Sequence, residues 1–183
     1  MTQTSTESKS FIPVKIAIMT VSDTRTLEDD QSGQTLADRA VAAGHLLSAR
    51  KLVGDDVRAI RHVVRDWTNR SDIDVIISTG GTGLTGNDVT VEAMTPLFEK
   101  TIDGFGILFH IISFPKIGTS TVQSRATAGI MKGKYIFCLP GSPGACRDGW
   151  DHILKSQLDN AHMPCNFIEI MPRLLEHTKR KKS

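Results

Sequence analysis

A glycine-rich loop and two carboxylates are the residues of this sequence best suited to carry chemistry. The loop follows the apolar run Val75-Ile76-Ile77 and has four glycines within seven residues, Gly80 to Gly86. Asp88 comes just after it, and Asp55 lies in an earlier polar stretch. A strand that ends in a Gly/Thr loop and runs into a helix turns backbone N–H groups toward an anion. Carboxylates facing such a loop suit Mg²⁺ that bridges to a nucleotide. We therefore predict a ligand that bears phosphate.

Both aspartates also have a structural interpretation, because Asp55 and Asp88 each precede a predicted helix that their side chains could cap. Capping and catalysis are compatible, so the sequence leaves both roles open. A second alternative concerns the ligand. Gly81-Thr-Gly-Leu-Thr-Gly86 satisfies the G-x-G-x-x-G pattern of dinucleotide-binding proteins. That pattern normally follows the first strand, whereas here it follows the third predicted strand, so NAD is the less favoured ligand.

The elements that must position these residues alternate between strands and helices. Apolar runs predict strands over residues 14–21, 75–78 and 135–139, and residues 46–53 are a further strand candidate. Helices are predicted over 31–43, 57–70, 90–99, 104–114 and 145–158, and the helix over 90–99 is expected to be interrupted or to end near Pro96. Residues 119–128 read as a loop with a helical turn, and 164–172 as a short edge segment. The alternation is typical of an α/β fold with a mostly parallel central sheet and helices on both faces.

Polar loops follow all four predicted strands. In open α/β sheets ligands bind beyond the carboxyl ends of the strands. One polar loop would mean little, because turns use the same residues, but four together predict a polar cleft. These loops are Ser22-Asp23-Thr24, Gly54-Asp55-Asp56, Thr79 to Asp88, and Pro140 to Gly144.

The bulk composition indicates one soluble globular domain. The chain has 183 residues, 39% of them hydrophobic and 23% charged. We expect a flexible tail over residues 1–10, a single domain over 11–172 and a basic, solvated tail over 173–183. From Arg173 onward five Lys/Arg face one Glu, so this end carries +4 and the rest of the chain −2. Without a basic stripe or a stacking set of aromatic residues, no nucleic-acid partner is expected.

Other sites and compartments are disfavoured by what the sequence lacks. No run of about 18 apolar residues is present, so no membrane span is expected. The N-terminus has no apolar core of a signal peptide, which makes the cytoplasm the expected compartment. The three cysteines and six histidines show no metal-ligand spacing. The very apolar residues 104–114 are expected to form a helix buried by the domain or by a neighbouring subunit.

Several separate motifs resemble one known family. They are Thr79-Gly-Gly-Thr-Gly83, Asp88-Val-Thr90, Glu92-Ala93, Gly104-Phe-Gly106, Ser124-Arg-Ala126 and Leu139-Pro-Gly-Ser-Pro143. In this order they resemble the MoaB/MogA (gephyrin G domain-like) family of molybdenum cofactor biosynthesis proteins, over about residues 11–167. The resemblance implies a three-layer α/β/α molybdopterin-binding fold and self-association as a trimer or a hexamer. It also implies contact with other molybdenum cofactor biosynthesis proteins.

The resemblance further implies an activity, in which AMP passes from Mg-ATP to the terminal phosphate of molybdopterin and pyrophosphate is released. Asp55 and Asp88 match the essential aspartates of the family and would hold Mg²⁺ against the ATP phosphates. The implied substrate-binding residues are Ser22, Asp23, Thr79, Gly80, Gly81, Thr82, Gly83, Ser124, Arg125, Pro140, Gly141 and Ser142.

Three positions depart from the family pattern. Asn87 stands where the family often has Arg, Val91 where it often has Pro, and Ile107 where it often has Glu. The loss of positive charge beside Asp88 bears directly on the handling of ATP. We therefore keep a second interpretation, a molybdopterin-binding or assembly protein with little catalysis.

Overall fold

The computed structural model describes residues 10–179 of the chain. Residues 1–9 and 180–183 lie outside the described part, and with them nearly all of the predicted N-terminal tail and the end of the basic C-terminal tail. The described start of that C-terminal region contacts the domain, because Leu174 packs against the hydrophobic core.

A six-stranded sheet forms the centre of the fold, with strand order β2-β1-β3-β6-β5-β4. The strands are β1 Lys15–Val21, β2 Leu46–Val53, β3 Val75–Thr79, β4 Lys100–Thr101, β5 Thr127–Met131 and β6 Lys134–Leu139. The pairs β1–β2, β1–β3 and β3–β6 are parallel, whereas β5 runs antiparallel to β6 and to β4. The predicted, mostly parallel sheet is therefore present, with an antiparallel edge added to it.

Helices cover both faces of this sheet. They are α1 Gln31–Ala42, α2 Val57–Asn69, α3 Thr90–Met94, α4 Asp103–Ile117, α5 Pro143–Gly149, α6 Lys155–Gln157 and α7 Phe167–Ile170. The π-helical turn Trp150–Leu154 joins α5 to α6 in one helical stretch. Short 3₁₀ turns lie at Thr95–Leu97, Gly118–Gln123, Met171–Arg173 and Glu176–Lys179.

The hydrophobic core lies in two layers, one on each face of the sheet. Side chains of β1 alternate between them: Ile16 and Ile18 join the layer under α1, α4 and α5, and Ala17 and Met19 join the layer under α2 and α3. All four are fully buried. Burial of each larger side chain contributes about 1.5–3 kcal/mol, and burial on both faces explains why residues 16–19 of β1 are apolar without a break.

The antiparallel edge is where the sequence-based prediction of the fold is wrong. The loop predicted over residues 119–128 ends early, because β5 begins at Thr127. The residues of β5 are mostly small, and Gly129 is required by packing, since a Cβ there would lie 2.2 Å from the ring of Phe98. Lys132 and Gly133 both have positive φ, 50° and 73°, and form the tight turn of a β-hairpin to β6.

Two further predicted segments are refined or corrected. The helix predicted over residues 90–99, expected to be interrupted or to end near Pro96, ends at Met94, and the 3₁₀ turn that contains Pro96 and then β4 follow it. Proline lacks the N–H group that a continuing helix needs. The segment 164–172 is helical rather than a sheet edge. Asn166 begins α7 as its N-cap, and its side chain accepts a hydrogen bond from the Glu169 N–H at 2.9 Å.

The apolar helix α4 is only partly buried by its own domain. Phe105 and Phe109 pack into the core, whereas Ile107, Ile111 and Phe114 are 62%, 62% and 57% exposed. The domain therefore buries one face of this helix, and burial of the other face by a neighbouring subunit stays a prediction. Sequence periodicity does not reveal this, because a helix that is apolar all round carries no polar face to mark the solvent side.

One described stretch meets the length and composition criteria for crossing a membrane. It is the helical region Asp103–Gln123, with 21 residues, a mean hydropathy of 1.2 and 22% of the scanned window buried. A single stretch of this kind is weak support for a span, because core helices of soluble proteins meet the same criteria. Here Phe105 and Phe109 anchor the helix to the sheet.

A buried histidine makes stability depend on pH. His45 is 4% exposed, its Nδ1 accepts a hydrogen bond from the Val14 N–H at 3.3 Å, and its ring lies beside Phe11 and Trp150. Burial lowers the pKa of His45, and the negative charge of Asp159 only partly opposes that shift. The unfolded chain, with a histidine pKa near 6.5, therefore takes up the proton first.

We expect the free energy of unfolding to be highest above pH about 6.5 and to fall as the pH drops through the lowered pKa of His45. Urea unfolding measured between pH 5 and 7.5 tests this expectation. The variant His45→Gln removes the titrating ring, so its stability should change less over the same range. Equal pH slopes for the two proteins would contradict the assignment.

Candidate functional site

The candidate site is a cleft at the carboxyl ends of the four parallel strands. Register brings these ends together, because Val21 pairs with Val53, Thr20 with Thr79, and Thr79 with Leu139. The loops that follow enclose a cavity of about 490 Å³. It is lined by Val21, Ser22, Thr24, Arg25, Asp55, Gly80, Gly81, Asn87, Asp88, Gly141, Ser142 and Pro143.

Asp55 is held at this cleft by a reciprocal pair of hydrogen bonds. The Asp23 N–H donates to Asp55 Oδ2 at 3.1 Å, and the Asp55 N–H donates to Asp23 Oδ1 at 2.9 Å. The cap of α2 is Asp56, whose Oδ1 accepts from the Ala59 N–H at 2.7 Å. Burial raises the pKa of Asp55, and the charges of Asp23 and then Asp88 add to the rise. Asp55 is therefore not a helix cap, and it lies in a region of excess negative charge.

Asp88 closes the Gly/Thr loop. Its Oδ2 accepts hydrogen bonds from the Thr85 N–H at 2.9 Å and from Thr85 Oγ1 at 2.6 Å. The Thr85 hydroxyl is the main reason that the pKa of Asp88 lies below its usual value, although partial burial opposes the shift. The N-cap position of α3 is Val89, without a side-chain cap. Asp88 is thus an ionised carboxylate at the cleft and not the cap of α3.

Two glycines bring the loop backbone into the cleft. Gly80 and Gly81 have φ of 95° and 62°, a region that residues with a side chain rarely adopt. A Cβ on Gly80 would lie 2.2 Å from the Val21 carbonyl oxygen, and one on Gly81 would lie 2.9 Å from Asp55 Oδ1. Thr90 fixes this conformation, because its Oγ1 donates to the Gly80 carbonyl at 2.8 Å. The glycines therefore allow the loop to lie directly against β1 and Asp55.

The loop after β6 forms the opposite wall. Ser142 is the N-cap of α5, and its Oγ accepts from the Ala145 N–H at 3.1 Å. The Gly141 carbonyl accepts from Ser32 Oγ at 2.7 Å. Thr79 lies beneath this wall, fully buried, and its hydroxyl donates to the Pro140 carbonyl at 2.9 Å. Of these residues, Gly141 and Ser142 face the cleft, while Thr79 supports it.

Other predicted site residues hold the loop from behind. The Arg125 guanidinium donates to the Thr82 carbonyl at 3.1 Å and to the Asp88 carbonyl at 3.2 Å, and it pairs with the Glu92 carboxylate. Thr82 is buried, and Gly83 leaves room for Asp88, since a Cβ there would lie 2.7 Å from Asp88 Oδ2. The structure places Arg125, Thr82 and Gly83 as the frame of the loop and not among the residues that line the cleft.

A second cavity, of about 420 Å³, adjoins the cleft and shares Ser142 with it. It lies between α4 and α5, and both Ser124 and Pro140 belong to its lining. An ion pair between Lys116 and Asp148 lies on one side of it. Its residues are Phe109, Ser113, Lys116, Ile117, Ser124, Pro140, Ser142, Gly144, Ala145, Arg147 and Asp148.

Sequence reasoning missed Arg25, which lines the cleft with the predicted residues. A signal was available, because Arg25 directly follows the strand-end loop Ser22-Asp23-Thr24. Within residues 10–179 no group of three or more His, Cys, Asp or Glu side chains is arranged to hold a metal ion alone. A divalent cation held by Asp55 and Asp88 would therefore take its other ligands from water or a substrate.

An open α/β sheet whose strand-end loops enclose a polar cleft is the architecture of an α/β ligand-binding domain. The family model described as "Probable molybdopterin binding domain" matches residues 17–160. The chain belongs to this molybdopterin-binding domain family of molybdenum cofactor biosynthesis proteins.

Two curated relatives carry the same name. Molybdenum cofactor biosynthesis protein B of Escherichia coli (strain K12) is 48% identical over 167 residues, which cover 91% of this chain and 96% of that protein. The protein of the same name from Bacillus anthracis is 42% identical over 156 residues, 84% of this chain and 92% of its own length. The resemblance predicted from the motifs is therefore confirmed.

Solved structures agree in fold. A crystal structure of molybdenum cofactor biosynthesis protein B has a TM-score of 0.78 at 41% identity and covers 80% of this chain and 92% of its own. The tungsten cofactor synthesizing protein MoaB from Pyrococcus furiosus has a TM-score of 0.70 at 30% identity, with coverage of 92% and 98%. The predicted fold class, an α/β molybdopterin-binding fold with a mostly parallel sheet, is confirmed.

Proposed function

We propose that this protein binds molybdopterin and transfers AMP from Mg-ATP to its terminal phosphate, with release of pyrophosphate. The observation that carries the proposal is the meeting of Asp55, Asp88 and the glycine loop at one cleft, in a chain of the molybdopterin-binding domain family. Relatives named for molybdenum cofactor biosynthesis support the same pathway. Molybdopterin is proposed as a substrate because of this family membership, and Mg-ATP is proposed because of the residues that line the cleft.

The carboxylates fit a magnesium ion that arrives with a nucleotide. Mg²⁺ is usually bound through one or two carboxylates together with water and substrate phosphates, and Asp55 and Asp88 supply two carboxylates in one cleft. The raised pKa of Asp55, caused by burial and then by the charges of Asp23 and Asp88, marks negative charge that a cation would relieve. When bound, Mg²⁺ neutralises charge on the phosphate chain and orients it.

The reaction mainly requires the molybdopterin phosphate and the ATP phosphates to be positioned correctly. An oxygen of the molybdopterin phosphate attacks the α-phosphorus of ATP, a new P–O–P link forms, and the bond to the leaving pyrophosphate breaks. The attacking phosphate is already ionised, so no side chain has to remove a proton. Asp88 stays ionised because Thr85 holds its pKa low, and the loop around Gly81 aligns the phosphates beside it.

Two adjoining cavities suit a reaction with two substrates. The cleft contains Asp55 and Asp88, and the second cavity contains Ser124 and Pro140. Because Ser142 lines both, a molecule in one cavity would meet a molecule in the other at this residue. We assign the phosphate groups to the cleft and the pterin to the second cavity.

A pyrophosphate-release assay tests the proposed function. The protein is mixed with molybdopterin and Mg-ATP, and released pyrophosphate is followed in a coupled assay. The expected result is release that requires molybdopterin, Mg²⁺ and protein together. If the protein binds molybdopterin but releases no pyrophosphate, the transferase activity is ruled out and the protein is a molybdopterin-binding protein.

That outcome is the second candidate function, a molybdopterin-binding or assembly protein with little catalysis. The observation in its favour is Asn87, a neutral residue that lines the cleft beside Asp88, where the family often has arginine. Such a protein would retain molybdopterin and pass it to other molybdenum cofactor biosynthesis proteins. For either function we place the protein in the cytoplasm.

Self-association as a trimer or hexamer is part of the proposal. The support is the exposed apolar face of α4, which includes Ile107, Ile111 and Phe114.

We expect Ile111→Asp to weaken association by about 3 kcal/mol for each contact that it enters, because it buries an unpaired charge. Sedimentation equilibrium would report the loss. Val41→Asp, a change at another exposed apolar side chain on α1, is the control, and a monomeric wild type at micromolar concentration would rule out the assembly.

A further inference from the structure

The candidate cleft carries an imbalance of charge. Asp55 and Asp88 line it, and Asp23 lies directly behind Asp55, joined to it by two hydrogen bonds of 3.1 and 2.9 Å. Among the described residues that line the cleft, Arg25 is the one that bears a positive charge. A polyphosphate entering such a site meets strong repulsion unless a cation faces it.

Arg25 is held in place by neighbours on two walls of the cleft. Its Nη1 donates to Ser32 Oγ at 3.2 Å, and its Nη2 donates to the Gly141 carbonyl at 3.3 Å. The side chain remains 35% exposed. A guanidinium has five N–H donors, so these two bonds leave others for a ligand. The head group is thus fixed in position before any ligand binds.

A buried carboxylate, Asp30, lies behind Arg25 and is shared between two arginines. Asp30 Oδ1 is 3.9 Å from Arg25 Nη1, whereas Asp30 Oδ2 is 2.9 Å from Arg50 Nη2. Asp30 also accepts from Thr20 Oγ1 at 2.6 Å and from the Gly33 N–H at 2.9 Å. Because Arg50 forms the close ion pair, the charge of Arg25 stays available to the cleft.

The neighbouring candidates for this role are occupied or uncharged. Arg125 pairs with the Glu92 carboxylate and donates to two loop carbonyls, and it does not line the cleft. Asn87 lines the cleft but carries no charge. A planar guanidinium fits phosphate oxygens with two parallel hydrogen bonds, which an asparagine cannot match.

We propose that Arg25 binds the phosphate chain of the nucleotide in this cleft and supplies positive charge to a site that Asp55 and Asp88 also line. The proposal rests on the nucleotide site of the proposed function. Ser32 and the Gly141 carbonyl position the guanidinium, and its free N–H groups donate to the β- and γ-phosphate oxygens.

Calorimetric titration with Mg-ATP, ADP and AMP tests this role in the wild type, Arg25→Gln and Arg25→Lys. The expected result for Arg25→Gln is a dissociation constant for Mg-ATP raised about 10- to 100-fold, the effect of removing a charge-assisted hydrogen bond. The increase should shrink from ATP to ADP and nearly vanish for AMP. Arg25→Lys should lose less, because it keeps the charge. The control Arg65→Gln, an exposed arginine on α2, should bind as the wild type does.

The pattern across the nucleotides separates binding from a structural role. An equal loss for ATP, ADP and AMP would mean that Arg25 only shapes the loop, and unchanged ATP binding would mean that it plays no part. Either result overturns the inference and leaves the proposed function standing, whereas a wild type that binds none of the three nucleotides overturns both. Thermal unfolding of each variant shows whether it is folded. If Arg25→Gln is not folded, the comparison of the three nucleotides is made with Arg25→Lys.

Discussion

Asp88→Asn is expected to reduce pyrophosphate release by about 100- to 1,000-fold, the range found when one electrostatic contact to a transition state is removed. Asparagine has nearly the same size and keeps an oxygen that accepts from Thr85, which now bonds Asp88 Oδ2 at 2.6 and 2.9 Å. The loop should therefore stay closed while its negative charge is lost. The measurement is the initial rate with molybdopterin and Mg-ATP at saturating concentrations.

Asp55→Asn is the companion variant, and we expect a comparable reduction. Its remaining oxygen can still accept from the Asp23 N–H, so the two loops stay joined. Asp66→Asn, at an exposed position on α2, removes a carboxylate away from the cleft and should be fully active. Wild-type rates for both Asp88→Asn and Asp55→Asn would show that these carboxylates do not take part in the reaction.

Gly80→Ala is expected to destabilise the folded protein by about 2–4 kcal/mol and to abolish ligand binding. The φ of 95° at Gly80 strains any residue with a side chain. The new Cβ would also lie 2.2 Å from the Val21 carbonyl oxygen, a backbone atom of β1 that cannot rotate away. Urea unfolding gives the free energy, and nucleotide titration gives the binding.

A matched control lies in the same loop. Gly86 has no positive φ, and a Cβ there would meet no atom within 4 Å. Gly86→Ala should therefore change stability by less than about 0.5 kcal/mol. If the two alanine variants were equally stable, the close approach of the loop to β1 would not hold in solution.

The centre of the fold was predictable because its residues follow a clear period. The strands β1, β3 and β6 contain apolar runs and end in polar loops, and α2 has one apolar face. β4 and β5 were not predicted, and the reasons are physical. β4 has only two residues, and β5 contains Gly129, a position at which a side chain would clash with Phe98. Such a contact is not visible from local sequence.

Part of the candidate site was predictable, because the carboxyl ends of parallel strands lie at the same edge of a sheet. Parallel register places the residues after β1, β2, β3 and β6 at one edge, so Asp55, the glycine loop and Ser142 were expected together. Arg25 was not, because its place depends on the path of the chain after Thr24 and on contacts with Ser32 and Gly141. The exposure of one face of α4 could not be predicted either, since apolar residues alone do not show whether their own domain or another subunit covers them.

Transfer of labelled AMP distinguishes the proposed adenylyltransferase from a protein that only binds molybdopterin. The protein is incubated with molybdopterin and Mg-ATP labelled in the α-phosphate, and the pterin product is separated and its mass measured. We expect the label to enter molybdopterin and the mass of the pterin to rise by one AMP unit, with one pyrophosphate released for each product. Molybdopterin recovered bound but unlabelled, with no pyrophosphate released, would contradict this expectation.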